Sequence, residues 1–203
     1  MTDQVDKLKE RMFLFLYVHA QTNREININT FKRYIYLYYL SSNFFYRNAE
    51  NIVISFDKTD ITIPKFDDIL DEFSLLDYID IEKNSLLIND KLIARGEFLL
   101  PHHDDNKTGK FYELYKEIKP FVNLLVSYDD QLIFTIFFSE PTFQEANERG
   151  LYHLETSNSV LSKLLTQFKE NLQKSNIDDY DILTHWMDFI LKNYYKEVSS
   201  YEE

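Results

Sequence analysis

The segment from Tyr128 to Gly150, YDDQLIFTIFFSEPTFQEANERG, constrains the fold more than any other part of the chain. A dense apolar run, Leu132 to Phe138, ends abruptly at Ser139-Glu140-Pro141. A short polar helix should follow, because proline fits the first helical turn and Gly150 supplies a C-terminal stop. Asp129 and Asp130 read as the start of a helix over the apolar run, whereas its β-branched and aromatic residues favour a strand. The residues alone leave both readings open.

With 203 residues the chain is long enough to bury a substantial core in one large domain or two small ones. Phe and Tyr are abundant, so disorder is excluded as a general description. There is no cysteine, which removes thiol nucleophiles, disulfides and Cys-based metal sites together. Only three glycines are present, and Gly96, Gly109 and Gly150 lie far apart, which argues against a phosphate-cradling loop. No run approaches the roughly 18 apolar residues a membrane helix needs. The opening MTDQVDKLKER is too charged for a signal peptide, so a cytoplasmic protein is expected.

The net charge of -12 is unevenly spread. Residues 1–50 carry seven Lys and Arg against five Asp and Glu, a net +2, while residues 51–100 carry five against eleven, a net -6. Duplex binding requires phosphate neutralisation. A partner surface that is basic suits this balance better than naked DNA does.

Periodicity outlines the elements. Residues 4–20 read as a helix whose second half is apolar all round and therefore buried. After a loop over 21–29, Asn29 or Thr30 is a plausible cap for a helix from Phe31 to Leu40. Ile52, Ile54 and Phe56, a turn at 57–60, then Ile61 and Ile63 describe a β-hairpin. Pro64 to Leu76 reads as a helix and 78–88 as a second hairpin. This order is that of a winged-helix-like unit. The polar stretch 101–110 reads as a linker, and helices fill the rest, with a kink expected at Pro120. The expected fold class is thus α+β and mostly helical. A winged-helix-like unit with β-hairpins over 1–103 precedes a helical unit over 104–203.

Few residues suggest chemistry. His102-His103-Asp104-Asp105 has metal-ligand residue types, but adjacent side chains diverge and a solvated linker is the better reading. Thr108-Gly109-Lys110 lacks the upstream glycines of a nucleotide loop. His185 and Asp188 fall at helical spacing with no nucleophile marked nearby, which favours a structural pair. Asp67/Asp68, Asp129/Asp130 and Asp178/Asp179 all lie at expected helix starts, where capping explains them. No catalytic residue, metal site or cofactor is expected. Tyr34, Tyr36, Tyr38 and Tyr39 crowd one helix, and four rings on ten residues are not expected all to point inward. Tyr34 and Tyr38 are therefore candidates for a partner surface, since tyrosine is frequent at interface hot spots. Phe138, Pro141 and Phe143 are further candidates, because they form an aromatic corner that Pro141 rigidifies.

Two blocks, Phe31 to Leu40 and Phe137 to Ala146, together resemble the small middle component of ABC three-component (Lamassu-type) anti-phage systems. The resemblance covers most of residues 8–150 through hydrophobic pattern, and it favours a helix over Leu132–Phe138. It implies a non-enzymatic subunit on the head region of an SMC-like ATPase dimer, beside a nuclease-type effector. DNA would be met only indirectly or within the assembly, and no membrane partner is implied. The alternative is a winged-helix transcription regulator or antitoxin acting as a homodimer. It requires a basic recognition helix, whereas Pro64 to Leu76 is acidic.

Overall fold

The computed structural model describes residues 2–46, 49–100, 109–172 and 177–200. The protein is α+β and mostly helical, with two small antiparallel sheets among the described residues. It divides into two compact units, each assembled from two stretches of chain: residues 1–32 with 65–127, and residues 33–64 with 128–203. The boundary expected after residue 103 falls outside the described residues. The helix that follows it, α5 (Lys110–Val126), belongs to the first unit because it packs on α1 (Thr2–His19).

In the first unit, α1 and α5 meet through aromatic rings. Phe15 lies 6.2 Å from Phe121, Tyr17 6.2 Å from Tyr115, and Phe13 6.1 Å from Phe111. The stretch read as a loop after α1 contains a short strand, β1 (Glu25–Asn27), and α2 (Ile28–Phe45) follows directly. The cap of α2 is Asn27 rather than Asn29 or Thr30: its Oδ1 accepts from the N–H groups of both, at 2.9 and 3.4 Å.

The hairpin of β4 (Ile79–Glu82) and β5 (Ser85–Ile88) turns through Lys83, whose φ is 56°. β1 completes this sheet in the order β1-β5-β4, pairing Ile26 with Leu86. The helix α3 (Phe66–Leu75) precedes that hairpin, starting two residues after Pro64 because Lys65 takes a left-handed φ of 69°. Asp67 and Asp68 occupy its first turn, where the helix dipole favours them. In chain order this unit runs α1, β1, the first residues of α2, α3, β4 and β5, while residues 33–64 belong to the other unit. A further helix, α4 (Asp90–Leu99), packs on α1. α5 runs through Pro120 as one helix. The segment 101–108, with His102, His103, Asp104, Asp105 and Thr108, lies outside the described residues.

The second unit holds the rest of α2 and the expected hairpin, β2 (Val53–Phe56) with β3 (Ile61–Thr62). Its other helices are α6 (Asp130–Phe138), α7 (Pro141–Arg149), α8 (Val160–Asn171) and α9 (Asp179–Ser200). A short strand, β6 (His153–Glu155), extends the hairpin to β3-β2-β6, with Ile54 opposite Leu154.

The apolar run Leu132–Phe138 is thus a helix, and Asp129 decides it by accepting from the Leu132 N–H at 2.8 Å. Ser139 closes α6, and Glu140 caps α7, whose first residue is Pro141. Gly150 ends α7 at a φ of 62°. Thr142 links to α8, its hydroxyl accepting from the N–H groups of Val160 and Leu161 at 3.1 and 3.2 Å. No single described helix is long and apolar enough to cross a membrane.

Candidate partner-binding surface

All four tyrosines of α2 are buried: Tyr34, Tyr36, Tyr38 and Tyr39. The expectation that they cannot all point inward is corrected. It treated α2 as a surface helix, whereas residues 34 to 42 of α2 are all buried, its polar Ser41 and Ser42 included. Those two serines turn their hydroxyls back to backbone carbonyls of the preceding turn, at 2.7 and 2.5 Å. Burial pushes the Tyr34 and Tyr36 hydroxyls above the usual tyrosine range, so both stay neutral. Neither Tyr34 nor Tyr38 offers surface to a partner in this conformation.

The corner at 137–143 is also largely interior. Phe143 is fully buried, its ring 4.6 Å from Phe137 and 6.2 Å from Phe56. Pro141 and Phe138 are half-buried. Phe143 therefore serves this chain's own core, which overturns its assignment to a partner surface.

The two blocks that carry the family resemblance meet in that core. Tyr36 stands edge-on to Phe137 at 5.4 Å, and its hydroxyl donates to Glu140 Oε2 at 2.7 Å. Glu140 is fully buried and also accepts from the N–H groups of Thr142 and Phe143, at 2.7 and 2.8 Å. Burial raises its pKa above the ordinary Glu range; the hydrogen bonds from Thr142, Tyr36 and Phe143 oppose that rise. A fully buried carboxyl group that accepts three hydrogen bonds from two elements is an organising element of the fold.

What remains accessible here is a different set. Phe134, on the outer side of α6, is 42% exposed and stacks on Phe138 at 5.5 Å and 29°. Arg33 of α2 lies over the Phe134 ring at 4.9 Å and over Phe137 at 5.3 Å. Its guanidinium is half-buried, its Nε has no hydrogen-bond partner, and it forms no ion pair among the described residues. Burial lowers its pKa; Asp60 and Asp130, within electrostatic reach, counter that and keep it cationic. Arginine and exposed aromatic rings are the residues most enriched where partner proteins bind tightly. Phe134 was legible as the i-4 neighbour of Phe138, but nothing local in the sequence brings Arg33 to it.

The residues considered for chemistry stay apart. His185 Nδ1 sits 2.6 Å from the Asp181 carbonyl, one turn back, while Asp188 accepts from the Tyr128 hydroxyl at 3.3 Å. Burial, with Asp188 beside it, pushes the Tyr128 pKa up to about 12. His185 and Asp188 thus have separate partners. Asp178 accepts from the Tyr180 N–H at 2.7 Å and caps α9. Among the described residues no three His, Asp or Glu side chains converge on a point able to hold a metal ion. Comparisons with family models, with curated proteins and with solved structures each gave no match.

Proposed function

We propose that this chain is a non-catalytic, cytoplasmic accessory subunit of a bacterial anti-phage defence complex of the Lamassu type. In that role it bridges an SMC-like ATPase head dimer and a nuclease-type effector. The assembly named rests on the resemblance of the blocks Phe31–Leu40 and Phe137–Ala146. The observation that carries the role is the accessible Arg33–Phe134–Phe138 cluster at the junction of those blocks, a hot-spot composition with no chemistry of its own.

The test is co-expression with the SMC-like ATPase of the same gene cluster, with capture of the complex. Phe134→Ala should weaken capture by about 2 kcal/mol, roughly thirtyfold in affinity. It should cost the free subunit at most about 1 kcal/mol, since the ring is partly solvated and loses one stacking and one cation–π contact. No complex with the wild-type chain sinks the assembly; capture indifferent to Phe134→Ala sinks the surface.

A homodimeric DNA-binding regulator is disfavoured by α3, the helix in the recognition position. Its Asp67, Asp68, Asp71 and Glu72 are all exposed. The isolated chain should show no submicromolar, salt-sensitive binding of duplex DNA in an anisotropy titration, because acidic residues there would meet phosphates. Tight binding that weakens steeply with salt would restore the regulator reading.

A further inference from the structure

The first unit carries an open cleft of about 610 Å³ that the proposed role does not use. Its apolar side is built from Phe13, Phe73, Tyr78 and Phe111, packed edge-on or tilted at 5.8 to 6.4 Å. Leu76 and Leu99 wall it, and Leu75, 85% exposed, and Phe98, 73% exposed, precede them at the ends of α3 and α4. Single exposed apolar residues are ordinary; an open cleft lined by four aromatic rings and two leucines is not.

Four charged side chains, Asp6, Lys9, Glu10 and Arg95, also line it. On α1, Asp6 and Glu10 are exposed, one turn apart, and make no hydrogen bond or ion pair among the described residues. Lys9 between them is already ion-paired with Glu72. On the facing helix α4, Arg95 lies over the Phe98 ring at 5.4 Å. The volume alone falls in the small-molecule range. A small molecule, however, is held by polar groups converging inside an enclosed pocket, whereas this cleft is open and its lining is mainly apolar and aromatic.

We propose that this cleft is a docking groove for an amphipathic helix of a partner protein, with Lys or Arg beside its apolar stripe to pair with Asp6 and Glu10. Apolar residues at i, i+3, i+4 and i+7 would enter over Phe111, Leu76 and Leu99, and basic residues one turn apart match the free carboxylates of α1. This is a second surface, independent of the Phe134 cluster and of which assembly the chain serves.

The probe is a synthetic Leu/Lys helical peptide of about 18 residues with that spacing, roughly five turns. A Leu/Glu version and a scrambled Leu/Lys version serve as controls, all titrated against the full chain by anisotropy. The Leu/Lys helix should bind at micromolar Kd, and the other two at least about tenfold more weakly. Asp6→Lys with Glu10→Lys should cost about tenfold or more. Glu148→Lys with Glu170→Lys, the same charge change on exposed residues of the other unit, should cost less than about threefold. A second arm uses Leu99→Glu, with its melting curve recorded, and the same loss is expected from a folded protein. Equal losses from the two Lys pairs, or a scrambled peptide binding as well, would overturn the groove as adventitious electrostatics. A dimer in sedimentation that Asp6→Lys/Glu10→Lys dissociates would overturn it in favour of a second copy. Either failure leaves ATPase capture through Phe134 standing, so the two ideas fall separately.

Discussion

Glu140→Ala is expected to destabilise the protein by about 4 kcal/mol in urea unfolding, a large part of the roughly 5–15 kcal/mol typical of a folded domain. The carboxylate is completely buried and receives three donors: the Thr142 and Phe143 N–H groups and the Tyr36 hydroxyl. Truncation leaves all three without that acceptor in a site closed to water. Each such orphan costs about 1–3 kcal/mol, and the capping of α7 is lost as well. Glu140→Gln separates charge from shape. Whichever way the amide faces, its NH₂ meets one of the two backbone N–H groups, so one bond is replaced by a donor–donor clash and about 2 kcal/mol is lost. Tyr36→Phe combined with Glu140→Ala should cost less than the sum of the two single changes, because both remove the same hydrogen bond. A loss under about 1 kcal/mol for Glu140→Ala would show that the buried network does not organise this corner.

The same residue carries a pH signature. Burial raises its folded pKa above the ordinary value of 4.5, so the folded protein holds this proton to higher pH than the unfolded chain does. Its contribution favours folding below the unfolded carboxylate range and weakens as pH rises from there through the folded pKa. Glu140→Gln removes that titration. The stability difference between the wild type and the Gln variant should therefore be largest in acid and shrink across that window.

How far these features could be read from sequence depends on where the determining partner lies. Ile54 and Phe56 alternate within their own strand, and Ser55 and Phe56 face Thr62 and Ile61 across a tight turn, so the hairpin is visible locally. β1 and β6 are three residues each, too short to show a period, and only pairing with distant β5 and β2 makes them strands. Leu132–Phe138 is ambiguous by composition, and one carboxylate, Asp129, tips it. The α2 tyrosines mislead because aromatic rings with polar tips suit both a core and an interface, and residue type does not say how many sides of a helix are covered. Glu140 left a local trace, an acid directly before a proline that opens a helix, but its fully buried state comes from Tyr36, 104 positions away. The accessible cluster inverts the same lesson: Phe143 is the conspicuous ring after the proline and lies inside, while Phe134, within the apolar run, lies outside.

Gly96→Ala is expected to destabilise the protein by about 2 kcal/mol, against the helix-propensity gain of about 1 kcal/mol that alanine ordinarily brings. Gly96 lies in α4, buried where that helix meets α1. A Cβ added there would stand 2.2 Å from Tyr17 Cδ2, 2.4 Å from Cε2 and 2.8 Å from Cγ, far inside van der Waals contact. The ring has little freedom to yield: Tyr17 is buried and also packs on Tyr115 at 6.2 Å. Overpacking of this kind costs about 1–3 kcal/mol or more, which exceeds the propensity gain. Removing the obstacle should reverse the sign. In a Tyr17→Ala background, itself costly, Gly96→Ala should become neutral or stabilising by up to about 1 kcal/mol, because only the propensity term survives. Melting temperatures of the four proteins in this cycle decide the matter. A Gly96→Ala single variant as stable as the wild type would mean that α4 and α1 separate at little cost, and that this glycine is no steric requirement of the fold.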